Sequence, residues 1–243
     1  MPRDRVRRRM RGRPSAEKPA LNALELGQGV VTGLAPDTKR PDCVAVEIEG
    51  KRLGIVLSST AAQLKIEKGA APDEETLEKL IEALEAERTY TVALNLLSGR
   101  SRSVNELLWR LRDRGHNPKA AAHAVGRLEA AGLLDDYRFS VNFARVKAGK
   151  GNGRIRIVSD LMGKGVDKEI AERAVDEALQ DEEVDPIEQA RELATKRAEQ
   201  LGDIPAHAKR RRLLGFLGRR GFRGYDVAEI VDGLVEVSER QEV

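Results

Sequence analysis

Apolar residues recur along this chain with two different periods. Over residues 27–57 they form short valine- and isoleucine-rich runs, GVVTGLA, CVAVEIEG and KRLGIVLS, bounded by Gly, Pro and Asp. Val44-Ala45-Val46-Glu47-Ile48-Glu49 alternates with period two, the pattern of a half-buried strand. Gly50 supplies a tight turn, so Val44–Ile48 and Arg52–Leu57 are predicted to pair as a hairpin, with Val30–Gly33 as a third strand. Three short strands enclose little core, so this module is expected to pack on the next part of the chain. Residues 74–87 then place Leu77, Leu80, Ile81 and Leu84 on one face of an acidic helix.

From residue 90 the period becomes helical, and the pattern repeats. ELLWRLRDRG ends at Gly115, RIVSDLMGKG at Gly165 and RLLGFLGRRG at Gly221. Four residues before each glycine stands a leucine, Leu111, Leu161 or Leu217. Eight before it stands Leu107, Ile157 or Leu213, seven before it Leu108, Val158 or Leu214, and ten after it Val125, Val175 or Val231. These offsets keep one helical face apolar on each side of the glycine, which suits the left-handed residue that ends a helix. A further helix precedes each pair, at about 90–98, 136–148 and 186–201. The expected fold is therefore mainly α: three tandem three-helix, helix-turn-helix-like repeats behind a small β-hairpin module and an acidic helix. The expected divisions are 1–24, 25–88, 89–135, 136–181 and 182–238.

Local signals agree. Ser103-Val104-Asn105-Glu106 reads as a capping box. Asn117-Pro118 reads as a cap with a first-turn proline, and Asp167 occupies the equivalent place in the second repeat. In the third repeat Arg223 stands there, so the last helix is predicted to start later, near Gly224.

Charge changes the picture only locally, because the net charge is +3. Residues 1–13 hold seven arginines and one aspartate, and residues 1–24 read as a disordered basic arm. Residues 72–88 hold seven acids and two bases; residues 203–224 hold seven bases and one acid. Blocks of this kind are either binding surfaces or solvated faces. In the helix after residue 104, Arg110 and Arg114 share one flank, with Glu106 placed to pair with Arg110, and Arg112 lies on the other flank. Trp109 points away from the core, either as a contact anchor or to pack a neighbouring repeat. Arg100 and Arg102, like Arg154 and Arg156 beside GKGNG, sit in loops where the fold has no evident need of them. A basic residue precedes each repeat glycine, Arg114, Lys164 and Arg220, which the helix dipole alone would favour.

Several chemistries are set aside. GKGNGR lacks the remaining residues of a nucleotide phosphate loop. His116, His123 and His207 lack metal-site spacing, and Cys43 reads as a small strand residue. Asp135-Asp136 reads as a helix stop and the next helix's cap rather than a catalytic pair. No catalytic residues, metal or other cofactor are expected. No apolar run approaches the roughly 18 residues of a membrane span, and the arginine-rich start lacks the apolar region of a signal peptide. With one cysteine, the chain reads as a soluble cytoplasmic protein, expected to be a monomer.

LLSGRSRSVNELLWRLRDRG, followed by GLLDDYRFSVNFARVKAGKG and RIVSDLMGKGV, resembles the RecX family, regulators of the RecA recombinase. RRLLGFLGRRGFRGYDVAEIVDGL is similar to that family's third repeat, and the resemblance spans about residues 88–237. It implies binding along the groove of the RecA–single-stranded DNA filament, with suppression of its ATPase and strand exchange. The residues expected to face filament or DNA are Arg100, Arg102, Arg110, Arg114, Arg138, Arg154, Arg156, Lys164, Lys209, Arg210, Arg211, Arg212, Arg219 and Arg220. Ser103, Gly115 and Asp135 are expected to serve structure. Two other readings stand beside this one. The first is a stand-alone, sequence-independent DNA-binding protein that occupies single strands; the second is an adaptor whose charges are merely solvated.

Overall fold

The structure is a computed structural model and describes residues 29–181 and 185–240, the side chains of 237–240 excepted. The basic arm of residues 1–24 lies outside the described residues. Three strands come first: β1 (Val31–Pro36), β2 (Cys43–Ile48) and β3 (Lys51–Leu57). Ten helices follow among the described residues: α1 (Ser58–Gln63), α2 (Glu74–Gly99), α3 (Val104–Asp113), α4 (Pro118–Ala130), α5 (Asp136–Ala148), α6 (Arg154–Met162), α7 (Lys168–Asp181), α8 (Pro186–Leu201), α9 (Ala206–Arg220) and α10 (Tyr225–Arg240). The chain forms two compact units. The first runs to Ser101 and adds Glu106–Leu134; the second comprises Arg102–Asn105 and Asp135 onward.

In the first unit the strands make an antiparallel sheet in the order β1-β2-β3. Ile48 pairs with Lys51, so Glu49-Gly50 is the two-residue hairpin turn expected from the sequence. The sheet buries Val31, Val46, Ile48 and Val56 against Ala61 of α1 and against Leu77, Leu80 and Leu84 of α2. The predicted strands and their need for a helical cover are thus both present, whereas α1 was not foreseen.

One expectation is corrected. The acidic helix and the first repeat's leading helix are a single helix of 26 residues. Thr89, Thr91 and Val92 are β-branched and flank Tyr90, which argues for a break, because such residues form helix poorly. Packing overrides that preference: the helix buries Leu77, Leu80 and Leu84 before this stretch and Thr89 and Ala93 within and after it. The hydroxyls bond back to the helix, Thr89 Oγ1 donating to the Glu85 carbonyl at 2.7 Å and Thr91 Oγ1 to the Glu87 carbonyl at 2.9 Å.

The same stretch of α2 holds a buried charge cluster. Glu87 is 3% exposed. Its Oε1 accepts from Arg127 of α4, and its Oε2 lies 2.6 Å from Arg40 Nη1, an ion contact without hydrogen-bond alignment. Both guanidinium groups also stand over the Tyr90 ring, at 4.0 and 5.1 Å from its centroid. Burial works against the Arg40 charge, but Glu87 more than restores it, and its pKa is raised. One carboxylate therefore ties the β1–β2 loop, α2 and α4 together.

The repeat positions behave as their offsets predicted. Leu107, Leu111, Ile157, Leu161, Leu213 and Leu217 are fully buried, and Val125, Val175 and Val231 nearly so. Each repeat glycine is left-handed, with φ of +83°, +81° and +90° at Gly115, Gly165 and Gly221. The next residue's N–H closes on the leucine carbonyl four before the glycine: His116 to Leu111, Val166 to Leu161 and Phe222 to Leu217. Those three residues are all buried. His116 is the polar one, its Nδ1 lying 2.9 Å from Thr89 Oγ1 and 3.1 Å from Glu85 Oε1. Burial raises the Glu85 pKa, but the His116 hydrogen bond and the Arg88 charge outweigh it, and the carboxyl titrates below its usual range. The last helix opens at Tyr225, as Arg223 in the cap position implied.

Within the second unit the glycine turn has a second duty. Ser103 and Gly153 each stand twelve residues before their own repeat's glycine. Ser103 Oγ donates to the Lys164 carbonyl at 2.6 Å, and the Gly153 N–H donates to the Arg220 carbonyl at 2.8 Å. Each acceptor immediately precedes the following repeat's glycine. Asn105 Nδ2 adds a bond to the Gly165 carbonyl at 2.6 Å, and Arg220 Nη1 returns bonds of 3.0 Å to the carbonyls of Lys150 and Gly151. The approach is so close that a Cβ on Gly165 would overlap Asn105, and one on Gly221 would overlap the Arg156 backbone. A Cβ on Gly115 would meet nothing.

This difference separates three otherwise equivalent substitutions. Gly115→Ala should cost only left-handed strain, about 1–2 kcal/mol. Gly165→Ala and Gly221→Ala should cost about 1–3 kcal/mol more, from overpacking. Urea unfolding of the three variants measures this, and equal losses would show that the turns do not join the repeats.

Candidate functional site

The fourteen basic residues singled out from the sequence separate into those the fold uses and those it leaves free. Arg100 pairs with the buried Glu106, which also lies 3.4 Å from Arg110 Nε. Arg102 is buried. The expectation that the fold has no need of these two loop arginines is therefore corrected: one anchors a buried carboxylate and the other is itself enclosed. Arg114 Nη1 donates to the Arg110 carbonyl at 3.3 Å, closing the end of α3.

Arg154 and Arg156 also have structural partners. Arg154 grips Asp176 of α7 with two bonds, 2.6 and 2.9 Å, the fork geometry that suits a carboxylate. The Arg154 hydrogen bond pulls the Asp176 pKa below the ordinary range. Arg156 Nε lies 3.1 Å from Asp160, which Lys147 shares. Lys164 is half-buried, its ammonium 5.4 Å from the Phe143 ring centroid.

The late basic cluster does not act as one surface. Lys209 is 7% exposed, inside the third repeat. Arg210 forks onto Asp232 of α10 at 2.5 and 3.2 Å, and that hydrogen bond lowers the Asp232 pKa. Arg211 and Arg212 are exposed and have no carboxylate partner among the described residues. Arg219 and Arg138 are exposed too, with no carboxylate partner among the described residues, whereas Arg220 lies over Phe216 and binds the Lys150–Gly151 carbonyls. The helical period explains the division, since residues 209 to 212 step through a full turn and only one of them can face inward. Arg112 and Arg223, absent from the expected set, are exposed as well and have no carboxylate partner among the described residues. Arg223 was legible only as the residue displacing a helix cap.

Asp135 and Asp136 hold helix ends. Asp135 Oδ1 accepts from the Arg138 N–H at 3.0 Å, and Asp136 Oδ1 accepts from the Val104 N–H at 2.8 Å. Burial raises the Asp136 pKa. Cys43 is fully buried, and burial pushes its thiol up to about 11, which suits a strand residue and not a nucleophile. Among the described residues, no group of three or more His, Cys, Asp or Glu could hold a metal ion, and no helix is long and apolar enough to cross a membrane. Trp109 remains 39% exposed.

Comparison with known proteins places these repeats. A family model described as RecX, first three-helix domain, matches residues 90–128, and RecX, second three-helix domain, matches residues 135–175. A regulatory protein RecX of Halorhodospira halophila is 35% identical over 156 residues, 64% of this chain and 93% of that protein. One of Amycolatopsis mediterranei is 34% identical over 132 residues, 54% of this chain and 74% of that protein. A crystal structure of regulatory protein RecX superposes with a TM-score of 0.64 at 20% identity, covering 87% of this chain and 99% of that one. RecX from Lactobacillus salivarius gives 0.52 at 23% identity, covering 63% and 97%, so both structures support the fold.

The burial pattern sets a stability test. Lys209→Glu should lower the melting temperature by several degrees, because it leaves an unpaired carboxylate in a buried position. Arg211→Glu with Arg212→Glu should stay within about 0.5 kcal/mol of the parent, as exposed changes do. A thermal melt of each reads this directly, and equal melting for the two variants would contradict the division.

Proposed function

The chain belongs to the RecX family of regulatory proteins, and from that premise we propose that it regulates homologous recombination by binding the RecA–single-stranded DNA filament. The chain lies along the filament groove, holds it through its basic repeats and suppresses its ATPase and strand exchange. The observation that carries this reading is the set of arginines the fold does not consume. Arg138, Arg211, Arg212 and Arg219 are exposed, have no carboxylate partner among the described residues and belong to the second and third repeats. Arg154, Arg156 and Arg210 have internal carboxylates, so the fold uses part of the basic set and leaves the rest available to a partner.

Arginine suits a composite protein–DNA surface, because its planar fork meets both carboxylate and phosphate. Repeats that each touch a different filament subunit gain from their linkage, so weak single contacts sum to firm binding. Few aromatics offer bases a stacking face: among the described residues only Trp109, 39% exposed, and Tyr225, 76% exposed, are open, and they stand in different repeats. Phe222 is buried, and Phe139, Phe143 and Phe216 pack beside the repeat cores. This favours the filament over bare single strands as the target, with any DNA contact weak and independent of sequence. No step requires a cofactor.

Titration into the recombinase's DNA-dependent ATPase, with single-stranded DNA in excess, tests the reading. Inhibition should set in well below one chain per recombinase subunit. Inhibition only once the DNA is covered, relieved by adding bare DNA, would instead make the protein a stand-alone DNA binder.

A further inference from the structure

In the second unit a groove of about 720 Å³ opens between α6 and the α9–α10 corner. Its floor includes Gly215 and Gly218, three residues apart and so on one face of α9. Each glycine inside a helix costs about 1 kcal/mol relative to alanine. Neither is demanded by the fold. A Cβ at Gly215 would meet only Arg219 Nη1, at 3.4 Å, and one at Gly218 only Arg223 Nε, at 4.0 Å. Both neighbours are ends of flexible side chains. Gly221 differs, because there the Arg156 backbone leaves no room. The two glycines thus keep a stretch of helix bare and open, with a guanidinium beside each.

Arg219 and Arg223 are exposed and have no carboxylate partner among the described residues. The third arginine at the groove, Arg156, already has Asp160. Part of the lining is apolar: Ile155 of α6 is 51% exposed, and Leu214 of α9 and Val227 of α10 add to it. We propose that this groove binds an acidic peptide segment of a partner protein, with carboxylates on Arg219 and Arg223 and one aliphatic side chain on the Ile155 wall.

The chemistry rests on three parts. Guanidinium forks bind carboxylates in pairs of charge-assisted hydrogen bonds. A helix surface without Cβ atoms lets a second backbone come close. The apolar wall holds a side chain and fixes the register. A nucleic-acid strand finds charge but no stacking face within the groove, because its one lining aromatic, Phe222, is 5% exposed and the exposed Tyr225 is not among the lining residues. The proposal deepens the protein-facing side of the filament-binding function and rests on it, but its test uses no recombinase, so either can fail alone.

The test is fluorescence anisotropy with the full chain and a labelled dodecapeptide of Asp and Glu around one central leucine. Oligothymidine of equal charge serves as the comparison. The parent should bind the peptide more tightly than the oligonucleotide. Arg219→Glu with Arg223→Glu should weaken peptide binding about tenfold or more. Gly218→Met should weaken it comparably with no change in charge, and circular dichroism should show the helices retained. Replacing the peptide's leucine with serine should also reduce affinity. Parent-like binding by either folded variant would overturn the proposal, as would indifference to the leucine. Preferential oligonucleotide binding that disappears with the two arginines would assign the groove to nucleic acid instead.

Discussion

Within the second unit, the carbonyls just before Gly165 and Gly221 are the points on which its packing depends. A helix must end there, and its last carbonyls need partners. Lys164 and Arg220 give theirs to Ser103 and Gly153, residues at the same place in the repeat before. A side chain at Gly165 or Gly221 would occupy the space the neighbour needs, so the left-handed glycine does two things at once. It ends its own helix, and it leaves the backbone bare for the preceding repeat. The basic residue before it is thereby explained through its main chain as much as its charge. In Arg220 the side chain also serves the joint, bonding the Lys150 and Gly151 carbonyls.

That joint bears on how the arginines divide. A repeat built from short helices has few apolar residues to spare, and charge pairs close several of its edges. Arg154 to Asp176 and Arg210 to Asp232 each clamp the second helix of a repeat to its third. Because these pairs are exposed, each contributes little to stability, but the fork fixes direction. What remains is a smaller set of guanidinium groups with no carboxylate partner among the described residues. The unpaired arginines, and not the basic blocks as a whole, are the surface available to a filament or a peptide.

The first unit resolves a different constraint. It must fasten a small sheet to a helical repeat with little apolar area between them. A long helix shared by both does this, and Glu87 near its middle collects Arg40 from one side and Arg127 from the other. Removing one partner from such a buried set leaves an uncompensated buried charge, so its loss should be strongly destabilising. Arg100 and Arg110 around Glu106 repeat the arrangement on a smaller scale.

The sequence by itself determined the number of repeats, the faces they bury and the glycines that end their helices. Those features depend on local periods and on backbone conformation, both written residue by residue. It also determined the hairpin and the late start of the last helix, through turn and cap chemistry. Tertiary structure alone decided that α2 runs unbroken through Thr89 and Thr91, because burial of Thr89 and Ala93 and the Glu87 contacts to Arg40 and Arg127 outweigh the weak helix propensity there. It alone decided which arginines are free. Lys209 and Arg211 look alike in a basic run, yet one faces a core and the other faces water. Arg102 reads as a loop arginine and is enclosed. A charge's partner lies tens of residues away in the chain, as Asp176 does from Arg154, and only packing brings the two together.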